Sequence, residues 1–152
     1  MAGTATVTIG NKTWTCSLVS SYVELVQGLS GLESMPANQG MLFDFGGERI
    51  ADINAYEMLF DLDVIFINDE LKVTEVIHGF IIGDDFTTTV PCRYFLEVNA
   101  GEADGTTPVQ PGDSVTISGS GNENESASID LGAILMLMIV APMMGMMMKL
   151  AK

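Results

Sequence analysis

Positive charge is what this chain has least of. Six Lys and Arg stand against 20 Asp and Glu in 152 residues, a formal net charge of −14. Phosphate backbones are bound by basic surfaces, so nucleic acid is excluded as a partner. Docking of the main domain on anionic lipid is excluded too, because no Lys/Arg cluster exists to hold it. Cysteine is nearly as scarce. Cys16 and Cys92 form no CxxC pair, and His78 is the single histidine, so no ordinary zinc site can be assembled. The two thiols read as buried and inert, with a disulfide left open should the fold bring them together. The opening residues lack the basic and continuous apolar regions of a signal peptide. Charged residues make up only 17% against 47% hydrophobic, which excludes disorder throughout.

What is present divides into a domain, a linker and a tail. From residue 1 to 117 the pattern is mainly β. In "TATVTI" Val7 and Ile9 alternate with Thr6 and Thr8, and with "KTWTCSL" across Gly10-Asn11 this predicts a hairpin. "SSYVELVQGL" (Ser20–Leu29) changes to helical spacing at Val23, Leu25, Val26 and Leu29, with Ser20 or Ser21 as cap. Short strands are then expected at Gly40–Phe45, Leu62–Ile67, Leu71–Ile77, Arg93–Val98 and Ser114–Gly119, with Gly46-Gly47 and "NDE" as turns. Leu71–Ile77 alternates well, with Leu71, Val73 and, less regularly, Val76 and Ile77 pointing inward. The expectation is a small barrel-like domain of the mainly β (α+β) kind with one short helix.

Residues 118–128, "SGSGNENESAS", are small and polar and read as a flexible linker. Residues 129–149 follow as a transmembrane helix, with 150–152 as its tail. Leu131–Met148 carries no charge over 18 residues, about 27 Å of helix, close to the hydrocarbon thickness of a bilayer. Its Leu, Ile and Val residues favour insertion by only about 2 to 4 kcal/mol in total. Such a span gains from neighbours, and Gly132, Ala133, Ala141 and Gly145 are the small residues through which another span, or a second copy, would approach. Seven Met residues lie in the segment. They read as apolar filler rather than copper(I) ligands.

Three ordered stretches carry a family resemblance: "VQGLSGLESMPANQGMLFDF", "FDLDVIFIN", and "YFLEVNAG" followed by "VQPGD". In order and spacing they resemble the bacterial and archaeal family known as domain of unknown function 192, over roughly Thr6 to Ile117. The resemblance implies a small, mainly β domain with a barrel-like core, and no established activity. It also marks departures. Leu32 stands where the family pattern has Arg, "NAYEM" (Asn54–Met58) where it has a Lys-containing stretch, and Asp61 where it has Pro. An anion site built on that Arg and Lys would be lost here. The matched polar positions that remain are Asp63 and Glu97, with Gly101 and Gly112-Asp113 in turns.

These residues support several chemistries. Asp63 and Glu97, each at one end of a strand, are the pair that could serve as acid and base. Equally, each could accept backbone hydrogen bonds. "GLSGL" lacks the final Gly and the preceding strand of a nucleophile elbow. "DDF" and "GEADG" do not follow the spacing of a calcium loop. The reading is therefore a non-enzymatic, membrane-tethered structural or interaction module, of an envelope complex or a virion membrane. It assigns no catalytic residue, metal or cofactor. Its partners are the bilayer, through Leu131–Met148, and other membrane-spanning proteins. It is placed as a single-pass C-terminal anchor with the β domain facing the cytoplasm or on a viral membrane. The alternatives are a diverged small-molecule binding domain, with Asp63, Glu97, Asn99 and Gly101 between "LDVIFI" and "LEVNAG", and a hydrolase using Asp63 and Glu97.

Overall fold

The computed structural model describes residues 3–21, 28–29, 31–119 and 148–150. Among them there is no helix. Ten strands are formed: β1 (Gly3–Ile9), β2 (Lys12–Val19), β3 (Gln39–Arg49), β4 (Ala51–Asn54), β5 (Leu62–Ile67), β6 (Val73–Phe80), β7 (Asp85–Thr87), β8 (Cys92–Asn99), β9 (Val115–Ser118) and β10 (Met148–Leu150). Seven make one sheet in the order β6-β5-β8-β3-β2-β1-β9, and β10-β4-β7 make a second. The domain is thus mainly β, as the alternation requires. The expected helix falls largely on residues 22–27, outside the described residues, within the crossover that joins the parallel pair β2 and β3.

The large sheet curls into a half-barrel. Its edge strands meet at one end, where Lys72 and Ser114 form an isolated bridge and Val115 N–H donates to the Leu71 carbonyl. Alternation sends side chains to two faces. The inside of the half-barrel holds Val7, Trp14, Cys16, Leu42, Ile65, Leu96, Val98 and Val115. The other face carries Met41, Phe43, Val64, Phe66 and Phe95, and is covered by Leu29, Leu32 and Met35 of the crossover and by Ile53 and Met58 from the β4 region. Phe43 stacks on Phe95 at 4.1 Å, and Phe66 meets Phe86 of β7 at 5.5 Å. β5 is buried on both faces, which explains its continuous apolar run.

Three local expectations are corrected. Gly46-Gly47 does not turn the chain: β3 continues to Arg49 through a register shift after Asp44, whose Oδ1 accepts the Gly46 N–H. The strand predicted to start at Leu71 starts at Val73, because Leu71 takes φ +56° in the turn that Asn68 closes through the N–H groups of Glu70 and Lys72. Ser118, placed in the linker, is the last residue of β9, opposite Thr6. The rest of the linker, except Gly119, lies outside the described residues. So do the expected span and its contact residues Gly132, Ala133, Ala141 and Gly145, apart from Met148 and Lys149. Those two belong to β10 and pair with Ile53 and Asp52. No helix of the described residues is long and apolar enough to cross a membrane.

Candidate functional site

Asp63 is the only charged residue in β5 and is fully buried. A buried carboxylate is tolerated only when its lone pairs are met. Here the chain bends to meet them. Leu62 pairs with Phe80 and Val64 with Ile77, so His78 and Gly79 together stand opposite Asp63: β6 carries a bulge there. The bulge depends on Gly79, at φ +75°, a conformation glycine adopts without strain. Gly79 N–H donates to Asp63 Oδ1 at 2.9 Å. Across the sheet, Gly101 and Ala103 N–H both donate to Oδ2 at 2.9 Å. One side chain therefore fixes both the bulge and the turn that follows β8.

The same bulge turns His78 toward that turn. Its Nδ1 lies 2.6 Å from Asp104 Oδ1, and both side chains are partly exposed. One ligand atom each from Asp63, His78 and Asp104 lies within 4.8 Å of the others. An imidazole nitrogen and two carboxylates are a donor set for a divalent cation. Asp63 sits at the floor, Asp104 and His78 at the rim.

Glu97 is elsewhere. Asp63 pairs with Val98 and Val64 with Glu97, so the two carboxyls leave opposite faces of the sheet. Glu97 lies between Met41 and Val64, fully buried, with no partner for either oxygen. Burial alone pushes its pKa well above the ordinary carboxylate value, which favours the protonated, neutral form over the charged one. Two strands away in the same row and on the same face, Ser17 Oγ is also buried without a partner. Asn99 donates from Nδ2 to the carbonyls of Met35 and Pro36, at 2.8 and 3.3 Å, and so ties the crossover to the sheet.

Of the four expected ligand residues, Asp63 and Gly101 are thus brought together, while Glu97 and Asn99 face the crossover side. A groove of about 540 Å³ between the β1–β2 turn and Thr106–Gln110 is lined by none of the four. Sequence reasoning missed His78 with Asp104. The bulge that brings them together lies at His78-Gly79, beyond the stretch Leu71–Ile77 that alternation marks as a strand. Cys16 and Cys92 are free and buried in different cores, so they are not bonded. Both thiol pKa values are pushed up to about 12, chiefly by burial.

Comparison with known proteins agrees with this architecture. The model of the uncharacterised family DUF192 (Uncharacterized ACR) matches residues 5–117, and the chain belongs to that family. No curated protein sequence matches the chain. Among solved structures, a protein of Sinorhizobium meliloti 1021, provisionally described as a transcription regulator, is 25% identical. The match covers 80% of this chain and 96% of that one, at a TM-score of 0.68. A protein of unknown function from Novosphingobium aromaticivorans DSM 12444 is 22% identical, over 76% and 84%, at a TM-score of 0.67.

Proposed function

We propose that the chain is a non-enzymatic interaction module, held at a membrane by its C-terminal apolar segment. The observation that carries the non-enzymatic half is the separation of the two family-matched carboxyls. Asp63 is engaged by three backbone N–H groups, and Glu97 is closed in on the opposite face. A single substrate could not meet both as acid and base. What supports the tether is the uncharged run Leu131–Met148 with its small-residue positions Gly132, Ala133, Ala141 and Gly145. The reading places the module with other membrane-spanning proteins or a second copy, in an envelope or virion membrane, with the β domain facing the cytoplasm or on the particle surface. The regulatory role ascribed to the Sinorhizobium relative is not carried over, since a net charge of −14 opposes binding to DNA.

Crossing a bilayer would carry Met148–Leu150 away from β4, so the tethered state exchanges β10 for insertion. The test is carbonate extraction of membranes from cells expressing the full chain. The chain should stay in the pellet and move to the supernatant when it ends at Gly119. A full-length chain found in the supernatant without detergent refutes the tether.

A second reading, small-ligand binding, is favoured by the Asp63, His78 and Asp104 donor set. Titration with Mn²⁺ followed by nuclear relaxation should show one site, lost in His78→Ala. Relaxation unchanged by that substitution removes this reading.

A further inference from the structure

We infer that the loops after β4 and after β6 form a docking surface for a protein partner with an apolar centre and a Lys/Arg edge. This deepens the interaction-module reading and rests on it. The two loops are knit into one surface. Ala55 N–H donates to the Asp84 carbonyl, Gly83 N–H donates to the Ala55 carbonyl, Ile82 N–H reaches Asp61 Oδ1, and the Tyr56 hydroxyl donates to Asp85 Oδ2 at 2.8 Å. On that frame stand four large apolar side chains, Tyr56, Leu59, Ile81 and Ile82, each half exposed or more. They are four of the five large apolar residues exposed among those described, and they fall in two short loops. Single exposed apolar residues need no explanation, whereas a cluster rimmed by polar groups marks an interaction site.

The rim decides the occupant. Glu57, Asp61 and Asp84 lie within the two loops themselves, and Asp85 opens β7 directly after the second. From Ile50 to Cys92 there are nine Asp and Glu, and the only Lys or Arg is Lys72. Lys72 precedes β6, bonded to Ser114, whereas Ile81 follows that strand at its opposite end. Among the described residues, Lys149 of β10, opposite Asp52, is a further cation whose backbone the second sheet brings near. A second copy would set the same acidic rim against itself. Anionic lipid would be repelled. The uncharged run Leu131–Met148 could match the apolar centre but not the rim. A partner with basic groups around an apolar centre matches both, and such complementarity speeds encounter and fixes register.

The test titrates the full chain with a 14-residue amphipathic peptide of leucine and lysine, followed by calorimetry. The protein is used in buffer or in a phosphatidylcholine nanodisc, whichever state carbonate extraction assigns. Failure of the tether therefore leaves this result readable. The expected result is binding that weakens with salt, falls at least tenfold in Ile81→Ser/Ile82→Ser, and is unchanged in Val90→Ser, the exposed apolar residue outside the patch. All charges are kept in these variants. The inference is overturned if the serine pair binds as the parent does, or if peptides with glutamate or serine in place of lysine bind as tightly. It is also overturned if the serine pair abolishes self-association or phosphatidylcholine vesicle binding instead.

Discussion

Glu97→Gln should change how the stability of this domain depends on pH, and the direction follows from burial. In the folded chain the carboxyl is fully buried and unpartnered, so its pKa lies well above 4.5, the value it has when solvated. Below about pH 4.5 both folded and unfolded chains hold the proton, and the residue costs nothing in linkage. Above that pH the unfolded chain releases the proton while the folded chain retains it. Folding must then take up a proton that is increasingly rare. The folding constant falls about tenfold per pH unit on account of this residue alone, until the folded pKa is reached, after which it levels off. Glutamine has nearly the same shape and cannot ionise, so the term vanishes.

The assay is urea denaturation at fixed ionic strength from pH 5 to 8, wild type against variant. Subtracting the two curves removes the other carboxylates, which both proteins share. The difference should grow with pH in favour of Glu97→Gln. Glu97→Met goes further, because it also removes an unmet polar group from a site flanked by Met41 and Val64. That change should stabilise the fold by about 1 to 3 kcal/mol even at pH 5, a large share of the 5 to 15 kcal/mol typical of a domain. Parallel pH curves for parent and glutamine variant would refute the reasoning, for they would mean that Glu97 ionises as freely in the fold as in water.

Other predictions concern the frame around it. Asp63→Asn loses the charge that three backbone N–H groups share, and should destabilise by about 2 to 4 kcal/mol. Hydrogen exchange should accelerate at Gly79, Gly101 and Ala103 together, and acceleration at only one of them counts against a common anchor. In Gly40→Ala the added carbon would stand 2.7 Å from the Glu97 carbonyl oxygen, a backbone atom that cannot swing aside. A loss of about 2 kcal/mol or more in urea is expected, as for overpacking elsewhere, and a neutral result would show that β3 and β8 can separate. Cysteines introduced as Asp52→Cys and Lys149→Cys face each other across β4 and β10, within disulfide reach. They should cross-link on oxidation in membrane-free protein and fail to do so once the segment is inserted, as gel mobility will report.

Strands were legible wherever one period governs the chain. β1, β2, β5 and β8 show it because each packs one constant face, or two apolar faces, along its whole length. β4 and β7 were missed, since four and three residues are too few to display alternation. β6 was seen but cut short, because its bulges pass the apolar set from one face to the other: Val73 and Val76 pack inside the half-barrel, Ile77 and Phe80 outside. The pairing of His78 with Asp104 was out of reach for the same reason. It is made by a register shift and a turn 26 residues apart, and neither residue type predicts the other. Asp63 and Glu97 could be picked out as polar residues in apolar strands, but which face each takes depends on parity relative to neighbours that only the sheet order supplies.

That difference in parity bears on what the family-matched positions are for. An acid placed on the inside face, at the end where bulge and turn converge, finds backbone donors and becomes an anchor. An acid one position out of phase on the adjacent strand finds Met41 and Val64 and becomes a neutral group held against its solvation preference. The first role is stabilising and explains itself. The second destabilises the fold at every pH above the solvated carboxyl range, and packing gives no reason to retain it over methionine. If Glu97→Met proves more stable and leaves both membrane retention and peptide docking intact, the cost of that carboxyl attaches to neither activity. If docking or retention weakens although the fold is firmer, the energy held at Glu97 is what lets the crossover, through Leu29, Leu32 and Met35, yield to a partner.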